Sequence, residues 1–171
     1  MDAADERARR GAPAGVVVLA GQQTAGRGQR GRDWLAPAGT SLLMTLIARP
    51  DCRVDELPHL PAMVGRHLAG AVSRLTGLDC AVKLPNDLMI ENRKVGGVLC
   101  QSSIEGQRVR YVLVGVGINV NISPDDLPLS TATSFLCETG QGYDLNDVLD
   151  VVLDELESCW CFSRSSPAMP A

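Results

Sequence analysis

Residues 21–34 read GQQTAGRGQRGRDW, and they lie between two apolar runs, residues 16–19 and 41–48, that predict strands. Three glycines are interleaved with three arginines in this loop: Gly26, Arg27, Gly28, Arg30, Gly31 and Arg32. Glycine lets backbone approach a ligand closely, and arginine offers a planar fork of donors that fits phosphate or carboxylate. The loop therefore predicts a site for phosphate or an acyl-phosphate, although an exposed basic turn would have the same composition. It is neither a Walker loop nor a dinucleotide fingerprint, because GxxxxGK[ST] and a helix-opening GxGxxG are both absent.

The overall composition limits the class of protein. With 171 residues, the chain is long enough for one domain with a sizeable core. A net charge of −4 argues against a general nucleic-acid binder, so the arginines of the loop indicate a local site. No apolar run approaches the roughly 20 residues that cross a bilayer, which argues against a membrane protein. The charged start is unlike a secretory signal, and six scattered cysteines then indicate reduced thiols, so we expect a cytoplasmic protein.

Hydrophobic periodicity gives a coarse order of elements. A charged surface helix is expected over residues 2–10, a longer helix ends near Gly77, and Asp144 caps a last helix. Strands are expected over residues 15–20, 40–48, 80–84, 88–90, 95–102 and 109–121. Because hairpin turns connect the later strands, the sheet should be mixed but largely antiparallel. The fold class is therefore α+β, with helices packed on one sheet.

Two further stretches carry candidate chemistry. The turn Lys83-Leu84-Pro85-Asn86-Asp87 places a cation, an amide and a carboxylate at the end of a strand, and Asp87 has the oxygen ligands that Mg²⁺ requires. Asn86 could orient a phosphate or a metal-bound water. Lys94 begins the run KVGGVL, where two glycines in a strand indicate close approach of a ligand. Either lysine taken alone could equally be a solvated surface charge.

A third stretch, GVGINVN, begins at residue 115. Glycines inside a strand weaken it unless something must come close, although a bulge or a strand crossing would also account for them. Asn119 is a polar residue in an apolar strand and therefore needs a hydrogen-bond partner.

The loop QTAGRGQRGRDW, the turn KLPND and the strands KVGGVL and GVGINV occur here in the order in which they occur in biotin protein ligases. The later segment ATSFL also resembles that family, and the resemblance covers roughly residues 3–160. Four spaced motifs in order are far more specific than any one of them. The resemblance implies the catalytic fold shared with class II aminoacyl-tRNA synthetases and lipoate ligases.

The resemblance also implies a reaction and its partners. Biotin would be activated by ATP and Mg²⁺ to biotinyl-5'-AMP, and then transferred to one lysine of a biotin carboxyl carrier domain. A lipoate or octanoyl ligase on the same fold is disfavoured because the GRGQRGR loop matches the biotin branch. A truncated or degenerate domain that binds biotin or ATP weakly and catalyses little is the other alternative.

The family pattern assigns roles to individual positions. Lys94 and Arg27 would be the catalytic cations, and Asp87 would be the metal ligand. Trp34 would stack on adenine, although ordinary core packing would also explain it. The implied biotin-binding residues are Gln23, Arg27, Gly28, Gln29, Lys94 and Gly97. The implied ATP- and adenylate-binding residues are Arg30, Arg32, Trp34, Lys83, Asn86 and Asn119.

The chain departs from the family pattern in several places. Gln29 stands where the family usually has arginine, and the lost charge-assisted contact, about 1.5–3 kcal/mol, predicts a loosened loop that leaks activated biotin. Leu84 replaces the usual tryptophan, with a modest expected effect. We expect one catalytic domain over residues 1–161, shortened at its N-terminal edge, and a disordered tail over residues 162–171. We expect neither a helix-turn-helix domain nor the family's C-terminal β-barrel, and the strand edges that this would expose allow a homodimer.

Overall fold

The structure is a computed structural model that describes residues 1–159, and the side chain of Arg30 lies outside the described part. Six strands form its sheet: β1 (Val17–Leu19), β2 (Ser41–Ala48), β3 (Cys80–Lys83), β4 (Asp87–Ile90), β5 (Arg93–Glu105) and β6 (Arg108–Asn119). Four α-helices accompany them: α1 (Asp2–Arg9), α2 (Leu60–Thr76), α3 (Phe135–Thr139) and α4 (Leu145–Ser158). Three short 3-10 helices complete the order: Gln29–Gly31, Val54–His59 and Pro124–Asp126.

All six strands belong to one sheet in the order β1-β2-β6-β5-β4-β3, and every neighbouring pair is antiparallel. The long hairpin of β5 and β6 forms its centre, and Gly106 turns between the two strands at φ 62°. This arrangement confirms the predicted α+β class. It also places the start of β5 and the end of β6 beside the loop that follows β1.

The first face of the sheet is covered by α2 and α4. Alternate residues of β2, which include Leu42, Met44 and Leu46, point to this face and join the main hydrophobic core. Apolar residues that repeat at helical spacing along α2 are buried: Leu60, Val64, Leu68, Ala71 and Val72. Helix α2 ends at Gly77, which is left-handed at φ 72°. Burial of each such Leu or Val contributes about 1.5–3 kcal/mol, so this face supplies most of the stability.

The second face of the sheet is covered in part by α1. Ala4 and Ala8 of this helix pack against Ile47, Tyr111 and Leu113, so the predicted surface helix buries one side. The Tyr111 hydroxyl donates to Asp5 Oδ1 at 2.7 Å and ties the helix to β6. The remainder of this face, toward the end of β6 and the start of β5, is free of α1 and holds the candidate site described below.

Some elements were not predicted from the sequence. Helix α3 and the three 3-10 helices lie in stretches without clear periodicity. The expected tail over residues 162–171 lies outside the described residues. Within residues 1–159, no helix combines the length and the hydropathy that crossing a bilayer requires.

Two cysteines in the core have strongly shifted acidities. Burial raises the pKa of the Cys80 thiol to about 11 and that of the Cys100 thiol to about 12. Both groups are therefore protonated near neutral pH, which agrees with a packing role and not with a nucleophilic one.

Candidate active site

Strand register leaves part of the second sheet face without side chains. Residues directly opposite in antiparallel strands point to the same face. One row across the sheet joins Asp87, Gly97, Gly117 and Leu43. The next row joins Leu99, Gly115, Thr45 and Val18. Three of these eight positions are glycine, so the sheet is hollow there.

The indole of Trp34 lies across this glycine floor. A Cβ at Gly117 would stand only 2.9 Å from two carbons of the Trp34 ring, so the ring needs glycine beneath it. The Trp34 Nε1 is buried and has no hydrogen-bond partner within residues 1–159. An unpaired buried donor costs free energy, and an acceptor on a bound ligand would satisfy it.

Lys94 lies beside this indole at the start of β5. Its Nζ is 5.5 Å from the centroid of the Trp34 ring and 2.6 Å from Asp87 Oδ1. The side chain of Lys94 is one third exposed, so the ammonium is held by a carboxylate and an aromatic face but is still open to solvent. An ammonium has three donors, and one carboxylate oxygen leaves the other two for a ligand.

The glycine-arginine loop covers the hollow. It folds back on itself, since Gly28 N–H donates to Arg32 O at 2.6 Å and Trp34 N–H donates to Gly26 O at 3.0 Å. A Cβ at Gly26 would collide with the carbonyl oxygen of Trp34, so close packing within the loop requires this glycine. Arg27 is exposed, and its guanidinium lies 3.4 Å from Asp2 Oδ2. Three of the loop's N–H groups are thus used internally, since Arg32 N–H also donates to Gln29 O at 3.4 Å, and side chains face the cavity.

One cavity brings most of the predicted residues together. The sequence-predicted residues that line it are Gln23, Arg27, Gly28, Gln29, Trp34, Asn86, Lys94 and Gly97. The residues that sequence reasoning missed are Met1, Leu43, Met44, Thr45, Val98, Leu99, Gly115, Val116 and Gly117. For Gly115 and Gly117 a signal existed in the repeated glycines of GVGINV, but Thr45 and Leu43 enter only through the register of β2 with β6.

The turn of Asn86 and Asp87 is tied to β5. Asn86 is buried, its Nδ2 donates to Val98 O at 2.9 Å, and Val98 N–H donates back to Asn86 O at 2.9 Å. This pair of bonds fixes the turn that presents Asp87 to Lys94. Lys83 and Leu84 in the same turn are exposed, and neither lines the cavity.

Three other predicted residues lie outside the cavity lining: Arg32, Asp87 and Asn119. Asn119 is buried and has the partner that its position demanded, because its Nδ2 donates to Thr133 O at 2.9 Å. Arg32 is exposed on the loop. The prediction for Arg30 concerns a side chain that lies outside the described part. The structure therefore gathers the predicted biotin set and part of the predicted ATP set.

A larger cavity, about 500 Å³, lies beside α1 on the same face. Its three arginines already have partners. Arg9 pairs with Asp5 at 2.6 Å and Arg110 lies 3.6 Å from Glu105. Arg49 donates to the backbone carbonyls of Ala8, Ala12 and Arg110. None of the sequence-predicted site residues lines this cavity, so it is a weaker candidate than the glycine-floored one.

The comparisons of this chain with known proteins agree with one another on its relatives. The model of the biotin/lipoate A/B protein ligase family matches residues 3–119. The bifunctional ligase/repressor BirA of Bacillus subtilis (strain 168) is 36% identical over 153 residues, which cover 88% of this chain and 47% of that protein. The biotin–[acetyl-CoA-carboxylase] ligase of Paracoccus denitrificans is 36% identical over 145 residues, which cover 79% of this chain and 58% of that protein.

A solved structure shares the fold. The biotin protein ligase from Aquifex aeolicus in complex with biotin and ATP matches with a TM-score of 0.76 at 29% identity, over 91% of this chain and 65% of that one. The chain spans about half the length of the BirA relative.

Proposed function

The chain belongs to the biotin/lipoate A/B protein ligase family, and from this premise we propose that it is an ATP-dependent biotin protein ligase. The resemblance seen in its four motifs is thereby confirmed at the level of the family. The observation that carries the proposal is the Lys94 ammonium, set beside the hollow glycine floor and under the glycine-arginine loop. The relatives named above, two of them biotin ligases by name, favour biotin over lipoate as the substrate.

The first step joins two anions. A carboxylate oxygen of biotin attacks the α-phosphorus of ATP, and the bond to pyrophosphate breaks, which leaves biotinyl-5'-AMP. Repulsion between carboxylate and triphosphate must be offset by fixed cations. Lys94 can donate to both anions while it keeps Asp87 as a third partner. Arg27, exposed at the rim, can reach toward the phosphates.

The second step transfers the acyl group. The ε-amine of a lysine on a biotin carboxyl carrier domain attacks the mixed anhydride, and AMP leaves with the electron pair of the broken bond. The amine proton leaves with the departing group or with solvent, and an amide remains. Holding the adenylate in line with the incoming amine is the main contribution of the protein.

The remaining roles are assigned from the residues that line the cavity. We assign Gln23, Gly28, Gln29 and Gly97 to biotin because they line the same hollow as Lys94. Trp34 would contact adenine with its ring. The nucleotide side would also involve Arg30, Arg32, Lys83, Asn86 and Asn119, of which the two asparagines each already give one amide N–H to a backbone carbonyl.

Magnesium fits this site only as a companion of ATP. Within residues 1–159, no group of three or more histidine, cysteine or acidic side chains could hold a metal by itself. Mg²⁺ commonly binds through one or two carboxylates together with substrate phosphates, and there it neutralises phosphate charge. Asp87 is the carboxylate beside Lys94, so we propose that it meets the ion that ATP brings.

We further propose that residues 1–161 form one catalytic domain and that its protein partner is a biotin carboxyl carrier domain.

The test is pyrophosphate release from ATP and Mg²⁺, measured with and without biotin. We expect biotin-dependent release that is lost in Lys94→Ala and kept in Arg108→Ala, an exposed cation at the start of β6. Pyrophosphate release that depends on lipoate instead of biotin would show that lipoate is the substrate. A folded protein without either release would contradict the proposed function.

A further inference from the structure

We propose that Glu138 is a positioning residue that fixes Lys94 for adenylation by joining the two chain segments that flank it. The inference rests on the proposed function, since Lys94 is its reactive cation. It assigns a role to a buried carboxylate that lies outside the cavity, on a helix that the sequence did not predict.

The backbone at Lys94 is held by an additional segment. Strand β6 ends at Asn119, and its first pairing with β5 is Gly96 with Ile118, so Lys94 lies beyond it. Residues 131–133 occupy that place. Lys94 N–H donates to Thr131 O at 2.8 Å, Thr133 N–H donates to Lys94 O at 2.9 Å, and Ala132 forms a parallel bridge with Lys94.

On its other side, Lys94 meets an irregular ladder. It pairs with Met89 of β4 where the register shifts between Leu88 and Met89. A bulge of this kind loosens local pairing. The segment of residues 131–133 therefore holds the Lys94 backbone through two hydrogen bonds on the side opposite the bulge.

Glu138 bonds at once the segment of residues 131–133 and the start of β5. Its Oε1 accepts a hydrogen bond from the hydroxyl of Thr133, and its Oε2 pairs with Arg93 Nη2 at 2.8 Å. Arg93 directly precedes Lys94 in β5. The side chain of Glu138 is only 7% exposed and Thr133 is fully buried, so the Thr133 half of the bridge is shielded from water, whereas the Arg93 side chain is 44% exposed. The shielded, charge-assisted bond from Thr133 is stronger and more directional than a surface pair, and the partly exposed Arg93 pair adds a second tie to β5.

Another carboxylate offers a matched control. Glu155 on α4 also accepts from two partners, with Arg74 at 2.5 Å and His67 at 3.4 Å, and it is 19% exposed. It links α4 to α2 on the opposite face of the sheet. Glu→Gln at either site removes the same charge, but only Glu138→Gln loosens the segment beside Lys94.

The experiment compares adenylation rates in wild type, Glu138→Gln and Glu155→Gln, each also in a Lys94→Arg background. We expect Glu138→Gln to lower kcat about tenfold, since displacement of a catalytic group by a fraction of an ångström has effects of this size. In the Lys94→Arg background the same change should cost less than about twofold, because residues that act through one group are not additive. Glu155→Gln should leave kcat unchanged in both.

Arg93→Gln provides a second variant, which breaks the bridge from its exposed end and should lower kcat in the same way. An equal tenfold loss in both backgrounds would show a general structural role and overturn the inference. A Glu138→Gln rate that matches Glu155→Gln would overturn it too.

The NMR resonance of the Trp34 indole reports the position of Lys94 in the absence of turnover, because Lys94 Nζ lies 5.5 Å from the centroid of the ring. It should shift in Glu138→Gln and not in Glu155→Gln. If the wild type is inactive but the Trp34 resonance still shifts only in Glu138→Gln, the proposed function alone is contradicted. If the wild type is active but the resonance does not shift in Glu138→Gln, the positioning role alone is contradicted.

Discussion

The two faces of the central sheet are built from the same strands but differ in what their side chains do. On the first face, Leu42, Met44 and Leu46 of β2 pack under α2 and α4. On the second, Leu43 and Thr45 lie in rows with Gly117 and Gly115, where the sheet is hollow and a loop covers it. Side chains fill one face and stabilise the fold, and their absence from part of the other makes room for ligands. Stability and activity should therefore respond to different substitutions.

Filling the hollow should have the largest effect on activity. In Gly117→Val the new Cβ would lie 2.9 Å from the Trp34 ring, and the ring must leave the floor. We expect biotin-dependent pyrophosphate release to fall at least about a hundredfold, as for misplacement of a group that orients the reactants.

Gly70→Ala on α2 is the control for this change, because a Cβ there meets only Arg74 Nη1 at 3.9 Å. It should keep full activity. A Gly117→Val protein with the wild-type rate would remove the distinction between the two faces.

Emptying the packed face should lower stability instead. Leu68 on α2 is fully buried, so Leu68→Ala should lower the free energy of unfolding by about 2–5 kcal/mol, measured by urea titration. Activity per folded molecule should stay within about twofold of wild type.

The exposed Leu84 offers a contrast at 68% accessibility, and Leu84→Ala should change stability by less than about 0.5 kcal/mol. If Leu68→Ala abolished activity in fully folded protein, the two faces would be coupled more tightly than we infer.

A smaller effect should come from the loop that covers the hollow. Gln29→Arg would restore the charge that the family usually has there, and an added contact of about 1.5 kcal/mol should slow escape of the adenylate about tenfold. Labelling of a lysine-rich bystander protein measures this escape, since the chain itself has only Lys83 and Lys94. Equal labelling by both proteins, with equal labelling of the carrier, would show that Gln29 does not loosen the loop.

The smallest effect should come from the unpaired indole. Trp34→Phe keeps a ring on the glycine floor but removes the buried Nε1 donor. If a bound nucleotide accepts from that donor, its loss should raise the KM for ATP about threefold, in line with one hydrogen bond below about 1 kcal/mol. An unchanged KM for ATP would place the indole against biotin or against protein only.

The packed face could be predicted from the sequence and the hollow face only in part. Leu60, Val64 and Leu68 repeat at helical spacing, and Gly77 marks the helix end, so local pattern alone located α2. Lys94, Gly97 and Trp34 were found through motifs and their resemblance to a family. Thr45 reaches the cavity only because β2 pairs with β6 in one register, and no local signal gives that register.

The supporting residues were the hardest to predict. Asn86 and Asn119 were assigned to nucleotide binding, yet each donates to a backbone carbonyl far away in the sequence, Val98 O and Thr133 O. The bridge from Glu138 to Arg93 spans 45 positions. Contacts of this kind depend on tertiary structure, so they become visible only when the chain is folded.

The most direct test of the central claim is a crystal structure of this chain with biotin and ATP. We predict density for the ligand beside Gly97 and the Trp34 ring, with the biotin carboxylate or the α-phosphate within about 3.2 Å of Lys94 Nζ. Ligand bound instead in the cavity beside α1, away from Lys94 and Trp34, would contradict the claim that the hollow face of the sheet is the active site.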